Sequence, residues 1–297
     1  MSQQAMTAIQ QGGRLPAALL LLFFCLVTAT TYAQSIQVLG ASGASGKVFI
    51  AALARELGPT HDVRRNREAD TSLVVALNES ELPAARQSGL PLLLVLPEQG
   101  SLTIGEHEAV LYWAPSWTDQ LLLARRIFPS LRRAGLLLDE SSDVPRARAL
   151  REQAERLHID VQYKVVDPAL LIRQVAELAA SNDILIAPSG SRLFTRDTLK
   201  PMLLAAYRQN RVFIGPSPAV VKAGALASLH VTPEALAAEV AERVQGYLRK
   251  GSWGPSSRIT RFDVITNPHV ARALGLRLPE ADVLTRLLQA EDSVPWP

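Results

Sequence analysis

The chain has 297 residues, a formal net charge of +3 and a single cysteine, Cys25. Its 31 basic and 28 acidic residues are interspersed, which argues against a nucleic-acid or anionic-membrane partner, and one cysteine excludes a disulfide framework. With 48% hydrophobic but only 5% aromatic residues, the composition favours buried parallel strands and packed helices over an aromatic stacking surface.

At the N-terminus, Arg14 precedes an apolar run over 15–27, with small residues at Thr31 and Ala33. That order predicts a secretory signal peptide, residues 1–33, cleaved after Ala33. The run of about 13 residues falls well short of the roughly 20 needed to span a bilayer. Cys25 follows Leu22, Phe23 and Phe24 rather than the small residues lipid attachment requires, so it reads as part of the apolar segment.

From there short apolar runs alternate with amphipathic stretches. Strands are predicted at 35–40, 71–77, 91–96 and 109–113, with helices at 47–57, 79–88 and 118–128. After Pro129 the pattern restarts with strands at 134–138, 160–166, 183–187 and 211–215, and helices at 144–157, 168–180 and 197–209. A long helix at 233–248, a strand at 258–265 and short helices at 267–275 and 280–290 complete the chain. Two runs of βα units exceed one doubly wound sheet, so the expected class is α/β. It comprises two Rossmann-like lobes, each a mostly parallel sheet flanked by helices, with a cleft between them. The last segment is expected to cross back, giving a multi-strand hinge that permits closure on a ligand. Lobe 1 is expected to comprise 34–114 plus about 232–256, and lobe 2 to comprise 115–231 plus about 257–297.

Gly40, Gly43 and Gly46, between a strand and a helix, resemble the first turn of short-chain-type nucleotide-binding oxidoreductases. No Tyr-x-x-x-Lys pair follows, and the leader lacks a twin arginine for exporting a prefolded holoenzyme. The other reading is a tight loop presenting backbone N–H groups and the hydroxyls of Ser42 and Ser45 to a different polar ligand. Catalytic constellations are missing: the five histidines lack metal-ligand spacing, and Ser42 and Ser189 lack the second glycine of a nucleophile elbow. Asp139, Glu140, Ser141, Ser142 and Asp143 read as a polar loop opening a helix that Asp143 caps. The arginines of that helix, Arg146, Arg148, Arg151 and Arg156, read as a solvated face. The expectation is no catalytic residue, no metal and no cofactor.

A more specific signature begins at Phe128, where Phe128, Pro129, Arg132, Arg133 and Gly135 lead into an apolar strand. The segments 204–208, 212–215 and 221–226 follow, and the ending runs from Phe262 through Asn267 and Gly275 to Pro279. This order resembles the periplasmic substrate-binding proteins of ATP-binding-cassette importers, in the group related to tryptophan- and tyrosine-binding components. The resemblance covers most of 35–292 and is strongest from Phe128 onward, while the loop from Gly40 replaces a more polar ligand loop. It implies a type I periplasmic-binding-protein-like fold, a periplasmic monomer, a small-molecule solute and a membrane permease as partner.

In open α/β lobes ligands sit beyond the carboxyl ends of the strands. The ligand-binding residues expected there are Gly40, Ser42, Ser45, Asn78, Ser116, Trp117, Ser141, Ser189 and Ser217, with Trp113 and Trp117 offering an apolar wall. Hydroxyls at helix N-termini suit an amino acid or another carboxylate. The alternatives are an exported sensor presenting its solute to a receptor or kinase, and an exported NAD(P)-binding oxidoreductase using Gly40, Gly43 and Gly46.

Overall fold

The computed structural model describes residues 34–292 except 67, 99–101, 141–143 and 190. The expected leader, together with Ser141 and the Asp143 cap, lies outside the described residues. Among those described, no helix is long and apolar enough to cross a membrane.

The first sheet is built from β1 (Gln34–Leu39), β2 (His61–Arg64), β3 (Thr71–Ala76), β4 (Leu92–Leu96), β5 (Glu108–Tyr112) and β11 (Ser257–Arg258). Its order is β11-β5-β4-β3-β1-β2, with every pair parallel. The second comprises β6 (Arg133–Leu138), β7 (Asp160–Val165), β8 (Ile184–Ile186), β9 (Phe213–Gly215), β10 (Ala227–His230) and β12 (Asp263–Thr266). It runs β12-β10-β9-β8-β6-β7, and only the β10–β12 pair is antiparallel.

Helices cover both faces of each sheet, which is why the strands are continuous apolar runs rather than alternating ones. Leu73, Val74, Val75 and Ala76 of β3 are all fully buried, and their side chains feed two separate cores on opposite faces. On one face lies α1 (Gly43–Leu57), which buries Phe49, Ala52, Leu53 and Leu57 at helical spacing. The short α2 (Leu82–Gln87) covers the other face with Leu82 and Ala85. Around the second sheet lie α3 (Trp117–Ile127), α4 (Val144–Glu155), α5 (Leu171–Ser181), α6 (Arg196–Tyr207) and α7 (Pro218–Ala223).

The helix α8 (Pro233–Lys250) follows the second sheet in sequence but packs on the first. Thr232 caps it, accepting from the Ala235 N–H at 3.1 Å, and Gly251 ends it in the left-handed conformation at φ 70°. Its buried face, Ala237, Val240, Ala241 and Val244, joins the core of α1, β1, β3, β4 and β5. The closing helices α9 (Pro268–Ala273) and α10 (Ala281–Asp292) return to the second lobe, where Ala271, Leu284 and Leu288 enter its core. The backbone therefore passes between sheets three times, at 113–116, 231–232 and 259–262.

Two expectations need correction. The single strand expected over 258–265 is two strands in two sheets, because the crossing interrupts it. Ile259 is buried in the first lobe's core and Phe262 in the second's. Three elements, β2, α7 and β10, were not foreseen. β2 is a half-buried polar edge, and Ala227 to His230 is too short and too mixed to show a period.

Candidate functional site

The loop after β1 is shaped by steric need. Gly40 has φ +79°, and a Cβ there would lie 2.5 Å from the Asn78 side-chain nitrogen. Gly46 is buried against the preceding loop, and its Cβ would meet the Ala41 carbonyl carbon at 2.5 Å. Two of the three glycines thus close the loop onto its own neighbours, which accounts for their spacing without a nucleotide.

Folding the loop this tightly leaves the start of α1 open. Ser42 is its N-cap, yet its hydroxyl makes no capping hydrogen bond, and no acidic residue stands in the first turn. Ser42 and Ser45 are exposed. The N-terminus of α8, carrying Thr232 and Pro233, meets the same space, although Glu234 places an acidic group in that first turn. Between these ends lies a cavity of about 380 Å³ whose walls are Phe49, Leu77, Trp113 and Leu236. Unpaired N–H groups and positive helix ends at one side, with an indole at the other, suit a small solute joining an anionic or polar group to an apolar body.

The structure brings Gly40, Ser42 and Ser45 together here, with Asn78 touching Gly40. Asn78 itself caps a short turn, accepting from Ser80 Oγ at 2.6 Å and from the Glu81 N–H at 3.2 Å. The other predicted residues lie elsewhere. Ser116 forms a capping box with Asp119 at the start of α3, its Oγ accepting from the Asp119 N–H at 3.1 Å. Trp117 does not line this cavity: it is 4% exposed and packs into the second lobe's core. Ser189 follows β8 with its hydroxyl buried and without a partner among the described residues, and Ser217 begins α7 without a capping bond. A second cavity of about 410 Å³ lies at the tips of β6 and β7, beside Asp139, Glu140 and Arg192. There the buried Asp139 carboxylate accepts from Ser191 Oγ at 3.0 Å and from the Arg192 N–H at 2.6 Å. A further cavity of about 860 Å³ opens at the N-terminal ends of β6, β8 and β9, the wrong end of the sheet for a ligand held at strand tips.

Sequence reasoning missed a charged cluster where the lobes meet. Glu98, beyond the tip of β4, pairs with Arg146 in the first turn of α4 at 2.7 Å. The Arg146 guanidinium lies 4.2 Å from the centre of the Trp117 ring. From the first lobe, Arg258 donates to the Ala114 carbonyl at 3.2 Å and sits 5.7 Å from the Tyr112 ring centre. Burial pushes the Arg258 guanidinium below its ordinary range, and the like charge of Arg146 adds to this. Two arginines set beside strand-tip loops were the available signal.

Burial also pushes the Asp119 carboxyl above the usual carboxylate range, opposed by hydrogen bonds from Ser116 and by the charges of Arg258 and Arg146. A raised value means the folded protein holds this proton more tightly than the unfolded chain. The resulting stability is fully present below the ordinary carboxylate range and is lost as pH rises through the raised value. Asp119→Asn keeps an acceptor for the Ser116 N–H. It should therefore gain stability relative to the parent as pH rises from about 4 to 7, read from denaturation midpoints. A difference that stays flat with pH would contradict the assignment.

No protein-family model matches the chain, and no curated protein matches it. Solved structures do. A ligand-free, open substrate-binding protein with adhesive properties from Clostridium difficile matches with a TM-score of 0.65 at 19% identity, over 83% of this chain and 95% of that one. An ABC domain in complex with L-Trp from Streptococcus pneumonia matches at 0.52 and 14% identity, over 84% and 97%. A periplasmic ribose ABC transporter from Conexibacter woesei matches at 0.50 and 13%, over 84% and 96%. Three crossings between two six-stranded sheets, and near-complete coverage of these neighbours, lead to one conclusion: the chain has the two-lobed α/β fold of type I periplasmic binding proteins.

Proposed function

We propose that this protein is the periplasmic solute-binding component of an ATP-binding-cassette uptake system. It closes on a small organic solute, an amino acid or another carboxylate, and delivers it to a membrane permease without catalysing a reaction. The observation that carries this reading is the cavity of about 380 Å³ at the first lobe's strand tips, where two helix N-termini and Trp113 face one space beside the hinge. The names of the structural neighbours, which are substrate-binding and ABC-transport proteins, agree with it. Closure follows if the solute binds the approached lobes better than the separated ones.

The test is isothermal calorimetry of the purified protein against L-tryptophan, L-leucine, succinate and D-ribose. Saturable binding of a carboxylate is the expected result. Trp113→Ala should then weaken it about 10- to 100-fold by removing the indole wall. Ser42→Ala should weaken it only a few-fold, as one hydroxyl contact is lost. If none of the carboxylates binds, or Trp113→Ala leaves affinity unchanged, this site assignment fails.

A further inference from the structure

We propose that Glu98 and Arg146 form a latch that holds the two lobes together before any solute arrives. The pair joins the loop after β4 in one lobe to the first turn of α4 in the other, and both side chains are about four-fifths shielded from solvent.

Exposed ion pairs contribute little because ordering two long side chains offsets most of their attraction in a high dielectric. Here both ends are held in advance. The Arg146 guanidinium rests on the Trp117 ring, itself fixed in the second lobe's core. Glu98 follows Pro97, whose carbonyl accepts from the Ala114 N–H at 3.0 Å. Partial burial lowers the dielectric and strengthens the attraction.

Arg258 gives the latch an asymmetry. It belongs to the first sheet through β11, and it lies close enough to Arg146 for the two like charges to interact. Each lobe therefore brings a cation to this boundary, with Glu98 paired to Arg146 and Asp119 of α3 within electrostatic reach of both arginines. Removing Glu98 deletes its attraction for Arg146 and leaves the repulsion between Arg146 and Arg258. Removing Arg146 deletes both.

The experiment is single-molecule energy transfer in the solute-free protein, with dyes at Glu106→Cys in one lobe and Glu152→Cys in the other, in a Cys25→Ser background. Both positions are exposed. Glu98→Gln should shift the closed-to-open ratio toward open by about fivefold or more. Arg146→Gln should shift it less, and the double variant should match Arg146→Gln. Salt should act with opposite signs: about 1 M NaCl opens the parent by screening the pair, and closes Glu98→Gln by screening the two arginines. An unchanged distance distribution in Glu98→Gln, or a larger opening in Arg146→Gln than in Glu98→Gln, would overturn the proposal. Both readouts are made without solute, so failure of the latch and failure of the binding function are separate results.

Discussion

Val240→Asp is expected to cost at least about 4 kcal/mol and to unfold the first lobe at neutral pH. Val240 is fully buried, although it lies more than a hundred residues beyond β5, the last strand of that lobe's first stretch. Its side chain packs among residues of α1 and the first sheet, so a carboxylate there would have no partner and no water. Two residues further along, Glu242 is exposed and pairs with Arg261 at 2.9 Å. Glu242→Gln should cost no more than about 1 kcal/mol. Urea denaturation followed by circular dichroism compares the two. Similar midpoints would mean that α8 does not complete the first lobe's core.

Gly46→Val should also destabilise, by about 2–3 kcal/mol, despite removing a glycine from a helix. Replacing a helical glycine ordinarily gains up to about 1 kcal/mol. At this position the new Cβ would fall 2.5 Å from the Ala41 carbonyl carbon, and backbone cannot turn aside as a side chain can. Relief requires α1 to move away from the loop, which displaces Ser42 and Ser45 and reshapes the cavity they line. Gly246 in α8 has open space at its Cβ, so Gly246→Ala is the control and should be neutral or stabilising. The expected pattern is loss of stability at 46 and none at 246, measured by thermal unfolding.

The two-lobed architecture was legible because parallel strands buried on both faces must be continuous apolar runs, as at 71–76 and 92–96. Burial of both faces leaves a signal along the chain itself. The half-buried edge strand β2, with His61, Asp62 and Arg64, left none. At the site, Gly40, Ser42 and Ser45 could be anticipated because one loop carries them all. Trp113 and Trp117 could not be told apart from spacing. Trp113 comes just after β5 and packs against the core of α1 and α8, whereas Trp117 is the first residue of α3 and is buried in the other lobe. Arg146 was hidden for a different reason. It shares a helix with Arg148 and Arg151, which are exposed, and nothing local distinguishes the arginine that faces a carboxylate 48 residues away.

The return of α8 and β11 to the first sheet has a consequence for biosynthesis. Because each half borrows from the other's stretch of sequence, no single cut releases either one whole. A nascent polypeptide emerging N-terminus first exposes the seat of α8 on α1 until residue 250 has appeared. Until then the part of α1 that α8 covers stays bare, which leaves the first lobe's core unfinished.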